Sequence, residues 1–395
     1  MKHRTPHGAA RARPGKLGLA LAGGGPLGGI YEVGALAALA DCLEGLDFNA
    51  LDVYVGVSSG SFIAAGLANG LTPAEMCRMF IESEEHDDPF SPELLLRPAV
   101  GEYARRAASL PLLLWGSAWR FLTGPGTGAF LASFAQVGRA LPTGLFDNDA
   151  IDRYLRRLFA VPGRTNDFRA LRHKLFLVAT DLDSGMPVEF GARGYDHVPI
   201  SRAVEASAAL PGLFPPVEID GRFYVDGALK RTLHASAALA QGVQLLLCIN
   251  PLVPYDSRVP VADAHAPRRL VDGGLPVVLA QTLRAIVHSR MQVGMQRYKR
   301  EFRDADVVLF EPNRHDAEMF FTNVFSYASR RRLAEHAYQK TRKELFARRH
   351  ALAPLLARHG VGIRLDALTD PDRHLVRGVR RRRPLVRATE VTGRL

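Results

Sequence analysis

The sequence predicts a three-layer α/β/α domain on a mostly parallel sheet. Two successive strand–turn–helix units near the N-terminus carry that expectation, and a later series of short apolar strands extends it. Leu17–Ala22 is a nearly continuous apolar run, as expected of a strand covered on both faces. Gly23, Gly24 and Gly25 follow, and Pro26 suits the first turn of a helix, where its missing N–H is not needed. The helix is expected from about Leu27 to Glu44, with Ile30, Val33, Ala37 and Ala40 at helical spacing and Gly45 ending it. The second unit places a strand at Val53–Val57, a turn at Ser58 and a helix over Ser61–Ala68, closed by Asn69-Gly70. Thr72-Pro73-Ala74-Glu75 reads as a capping box opening a further helix.

Residues 90–145 break this rhythm. They are rich in Leu, Ala, Pro and Gly, hold Trp115 and Trp119, and read as helical excursions inserted between core elements. Strands resume at Leu175–Thr180 and Pro187–Phe190 around an Asp183-Ser184-Gly185 turn. Val217–Ile219 and Arg222–Val225 flank Asp220-Gly221, a hairpin signal, and Val243–Ile249 is another buried strand. Beyond about residue 275 the pattern is helical and charged; Arg330, Arg331 and Arg332 read as the exposed face of a C-terminal helix. The expected organisation is a basic leader over 1–16, a catalytic domain over 17–250, a mostly helical extension packed on the core over 251–355, and a basic tail over 356–395.

The chain has 395 residues, 51 Lys and Arg against 40 Asp and Glu, and a formal net charge of +11. Nucleic acid and an anionic membrane surface both fit such an excess. Much of it is arginine at the ends, which also reads as solvated tail. Cys42, Cys77 and Cys248 are odd in number and far apart, so neither a zinc site nor a disulfide framework is suggested. That usage suits a reducing compartment and predicts a cytoplasmic protein with reversible, peripheral membrane contact. The longest uncharged stretch, Val53–Ala74, is too interrupted by polar and glycine residues to span a bilayer.

Gly56-Val57-Ser58-Ser59-Gly60 fits G-x-S-x-G between a Val-rich strand and a helix. A serine at the apex of such a turn is exposed at the carboxyl edge of the sheet, above a helix N-terminus that favours negative charge. Ser59 is then a helix-start residue pointing away. Gly23, Gly25 and Gly28 also fit a dinucleotide loop, G-x-G-x-x-G. That alternative wants an acidic residue closing the second strand, where Gly56-Val57-Ser58 stands instead. As an oxyanion hole the loop needs only converging N–H groups beside a helix N-terminus. No histidine is singled out as a base, His234 and His288 being the nearest rivals. Asp226-Gly227-Ala228, directly after Phe223-Tyr224-Val225, places a carboxylate at a strand end, where it can accept the serine proton.

Gly23-Gly24-Gly25-Pro26-Leu27-Gly28, Gly56–Gly60 and Asp226-Gly227-Ala228 resemble, in order and spacing, the three signatures of patatin-like phospholipases. Ala179–Gly185 and the stretch from Ala206 through Pro216 agree. The resemblance covers about residues 17–250. It implies a Ser58–Asp226 dyad, an oxyanion hole from Gly23, Gly24, Gly25 and Gly28, no metal or other cofactor, and cleavage of acyl esters in lipid or phospholipid. With such a substrate, nucleic acid is not the expected partner. Where the family usually carries Arg or Lys, this chain has Leu27 after Pro26. Proline cannot donate, so the hole would draw on Gly24, Gly25 and Leu27. The alternative in a different class is a catalytically weak lipid-binding or scaffold protein on the same fold.

Overall fold

The computed structural model describes residues 15–82, 97–101, 103–104, 142–230, 232–258, 269–321 and 327–375. Trp115, Trp119, most of the insertion, residues 1–14 of the leader and residues 376–395 of the basic tail lie outside the described residues, whereas residues 356–375, expected as tail, are folded and include a short strand and a helix.

The strands are β1 (Leu17–Leu21), β2 (Leu43–Glu44), β3 (Val53–Val57), β4 (Lys174–Asp181), β5 (Pro187–Phe190), β6 (Val217–Ile219), β7 (Arg222–Asp226), β8 (Leu245–Ile249), β9 (Asp306–Phe310) and β10 (Gly362–Ile363). The helices are α1 (Gly25–Cys42), α2 (Ser59–Ala68), α3 (Pro73–Cys77), α4 (Asp149–Phe159), α5 (Ile200–Ser207), α6 (Ala235–Leu239), α7 (Gly274–Glu301), α8 (Glu318–Phe321), α9 (Tyr327–Ala357) and α10 (Leu365–Thr369). The main sheet runs β6-β7-β4-β3-β1-β8-β9, with β5 also on β4. Its β4-β3-β1-β8-β9 part is parallel, and β5, β7 and β6 join antiparallel.

Both faces of this sheet are covered, which is why its strands read as unbroken apolar runs. Leu19, Leu21, Tyr54, Leu177 and Leu247 point into one core with α1, α2, α5 and α9. Ala20, Val55, Val57, Val178 and Cys248 point into the other, closed by α6 and α7. The architecture is thus the expected three-layer α/β/α with a mixed, mostly parallel sheet. Three local readings change. The first helix stops at Cys42, because Leu43-Glu44 pairs with Gly362-Ile363 as a small second sheet. The region beyond 275, read as helical, also contributes β9 beside β8. Arg330 is buried and donates to the Phe80 carbonyl at 3.3 Å, whereas Arg331 and Arg332 face solvent.

Candidate active site

The parallel register sets the stage. Leu21 of β1 is level with Gly56 of β3, and Val57 is level with Val178 of β4, so these chains leave the sheet together at its carboxyl edge. Ser58 occupies the turn with φ +54° and ψ −124°, a conformation that strains any residue bearing a Cβ. Ser61 fixes it by donating to the Ser58 carbonyl from its N–H, at 2.9 Å, and its hydroxyl, at 2.5 Å. The two glycines of the pattern are required by close approach. A Cβ on Gly60 would lie 2.6 Å from the carbonyl oxygens of Leu21 and Ala22, and one on Gly56 would lie 2.5 Å from the Cα of Ser61. Ser59 turns its side chain toward Gly28 and Gly29 of α1, away from the apex.

Asp226 ends β7 opposite Ala179, one step beyond the Val57–Val178 pair. Its backbone is tied twice: its N–H donates to the Ala209 carbonyl at 3.0 Å, and its carbonyl accepts from Thr180 Oγ1 at 3.2 Å. The carboxylate accepts the Ala228 N–H at 2.8 Å. Gly227 then crosses over the Val178 carbonyl, with no room for a side chain. Ser58 is 6% exposed and Asp226 2%. Burial pushes the Asp226 carboxyl up to about 6, against the opposing pull of a side-chain hydrogen bond with Ser58 and of the Ala228 N–H.

The glycine loop is the third wall. A Cβ built on Gly23 would stand 2.9 Å from the Ser58 Cβ, 3.5 Å from its Oγ and 3.1 Å from the Ala228 Cβ. Pro251, after β8, closes the far side against Gly24 and Gly28. The Gly28 N–H donates to the Gly24 carbonyl at 3.0 Å. That corrects its assignment as an oxyanion donor: its part is close packing against Pro251 and Ser59. The N–H groups of Gly24, Gly25 and Leu27 open α1 and have no acceptor within it.

A family model described as patatin-like phospholipase matches residues 19–239, more than half of the chain and all three motifs. The chain belongs to the patatin-like phospholipase family. The family is typically made of serine hydrolases. Among solved structures, VipD from Legionella pneumophila is 14% identical over 85% of this chain and 67% of its own, at a TM-score of 0.37. ExoU of Pseudomonas aeruginosa, solved with SpcU, is 17% identical over 72% of this chain and 53% of its own, at 0.24. A second ExoU structure is 21% identical over 94% and 71%, at 0.28.

In this member of the family the rival histidines make other contacts. His234 is buried at φ +47° with Nδ1 3.4 Å from Glu189, and His288 contacts Gln292 at 3.0 Å. Among the described residues neither hydrogen-bonds Ser58 or Asp226. One residue the sequence reading passed over is Ser207, at the end of α5. Its hydroxyl accepts the Ser58 N–H at 2.9 Å and donates to the Val178 carbonyl at 2.6 Å, fully buried. It pins the strained turn to β4 and withdraws the Ser58 N–H from any other acceptor. Ser207→Ala leaves a buried donor and a buried acceptor unmatched, so it should cost about 1–3 kcal/mol of stability. It should also lower kcat with little change in KM, read by thermal melt and steady-state kinetics. Unchanged kcat in a destabilised variant would reduce Ser207 to a packing residue.

Proposed function

We propose that the protein is a lipid acyl hydrolase, cleaving carboxylic esters through an acyl intermediate on Ser58 with Asp226 as base. The observation that carries this reading is the meeting of three parts: Ser58 at its strained apex, the buried Asp226 carboxyl whose upward shift the Ser58 side chain opposes, and the glycine loop against Ser58 and Ala228. Asp226 takes the hydroxyl proton as Ser58 Oγ attacks the ester carbonyl. The N–H groups of Gly24, Gly25 and Leu27 stabilise the oxyanion, since those of Ser58 and Gly28 are already engaged. Collapse of the tetrahedral adduct expels the alcohol, which carries the proton back from Asp226. Water, deprotonated by the same carboxylate, then releases the acid. Leu27, in place of the family's basic residue, leaves no cation on this loop. That supports neutral esters or lysolipids alongside phospholipids, and it is also what favours the alternative of a lipid-binding protein with weak catalysis.

A fluorophosphonate probe should label the wild type at Ser58. Ser58→Ala should lose both labelling and ester hydrolysis while keeping its thermal melt. Hydrolysis that survives in the folded variant would end the enzyme reading, and comparison of lipid products from the two proteins would name the substrate.

A further inference from the structure

Five exposed large apolar side chains, Leu275, Val278, Leu279, Ile286 and Val293, lie on α7. Its 28 residues extend about 42 Å at 1.5 Å per residue. Arg284, Val287, His288, Met291 and Tyr298 are buried and hold the helix to the core; nothing before Arg284 is buried. On the opposite side, about half a turn away, Leu275, Leu279, Ile286 and Val293 form one exposed apolar stripe, 70%, 58%, 49% and 64% exposed. A helix this apolar could cross a bilayer by length and composition, but its buried face is engaged by the protein.

Three observations say what the stripe meets. First, α7 starts at the site edge. β9 follows it parallel to β8, so α7 descends from the carboxyl edge of the sheet. Arg284 also reaches the Val253 carbonyl in the loop after β8, which carries Pro251. Arg290 reaches the Leu229 carbonyl, three residues past Asp226. Second, the stripe runs through Val293 into a cleft of about 360 Å³ between α7 and the segment around α6. Third, that cleft carries Lys230, Arg290 and Arg297 with the hydroxyls of Ser236 and Ser289, and no carboxylate lines it. Arg297 shares its charge with Glu301 at 2.7 Å, so the cleft stays net positive. Apolar side chains flanked by cations on a single helix face complement the interface of an anionic bilayer, where acyl chains lie beneath phosphate head groups.

We infer that α7 is the membrane-docking face of this protein: its stripe enters an anionic phospholipid surface, and the cleft of Lys230, Arg290 and Arg297 receives a head-group phosphate. Docking there holds the carboxyl edge against the bilayer. The purpose of this face rests on the lipid-hydrolase reading; the binding does not, so it is measured separately. The full chain carrying Ser58→Ala is floated with phosphatidylcholine vesicles, with and without phosphatidylserine. Binding should require phosphatidylserine and weaken with salt. Leu275→Asp with Leu279→Asp should reduce it about tenfold, because charge replaces apolar contact at exposed positions. Lys230→Gln with Arg297→Gln should reduce it several-fold and flatten the salt dependence. In the Ser58 background, the leucine pair should leave the melt and the turnover of a soluble short-chain ester unchanged. Undiminished flotation of the leucine variant would overturn the proposal. So would a wild-type dimer that the same substitutions dissociate, since a second copy would then occupy the stripe. Intact flotation with no esterase activity in the wild type would instead defeat the hydrolase reading alone.

Discussion

Asp226→Asn should lower kcat/KM on a short-chain ester by roughly 10³- to 10⁴-fold while the protein stays folded. The amide can still accept the Ala228 N–H through its oxygen, so the turn after β7 survives, but it cannot take the Ser58 proton. His234→Ala and His288→Ala should each keep activity near wild type, because neither ring hydrogen-bonds the serine or the carboxylate. In a triad the histidine change would cost as much as loss of the nucleophile. Parallel kinetics on the three variants, with melts as the folding check, decide the matter. A dead, folded histidine variant beside an active Asp226→Asn protein would move the base to that ring. The wild-type profile follows from the raised carboxyl: kcat/KM should rise tenfold per pH unit below about 6 and level off above it.

The same substitution should stabilise the protein in alkaline solution. Burial raises the Asp226 carboxyl from 3.8 to about 6, so the folded state holds its proton more tightly than the unfolded chain does. Stability therefore falls as pH rises between these values and is level above the folded one. A shift of about two units corresponds to roughly 3 kcal/mol at the plateau. Asparagine carries no such penalty. The melting temperature of Asp226→Asn minus that of wild type should be small near about pH 4, grow through about pH 6 and stay constant near about pH 8. Glu32 and Glu205 are also raised by burial and act in the same direction, but both proteins share them and they drop out of the difference. A difference that is flat across this range would mean the carboxylate bears no burial penalty.

The motifs were legible because their glycines answer to backbone contacts that any sequence with this fold must satisfy. Gly60 lies on the carbonyls of Leu21 and Ala22, and Gly227 on that of Val178. The strands were legible because both faces of the sheet are covered. Other features had no such signature. The five residues of β9 read equally well as part of the helical segments around them. Ser207 is one hydroxyl in an alanine-rich stretch, and only the fold brings it to Ser58. The run Arg330–Arg332 looked like surface, yet successive helical residues point about 100° apart, so one of three faces the core. The α7 stripe escaped for a related reason. Apolar spacing marks a face, and which way that face turns is decided by what packs on the other side.

Ser58 and Asp226 are brought together only when β7 pairs with β4, long after the nucleophile turn has been synthesised. Contacts this distant in the chain carry the loop-closure entropy of everything between them and form late. A nascent or truncated chain ending before residue 226 thus has its serine turn but no base. On the proposed mechanism no ester is cleaved until β7 has been made and has paired with β4, so the onset of esterase activity would report that pairing.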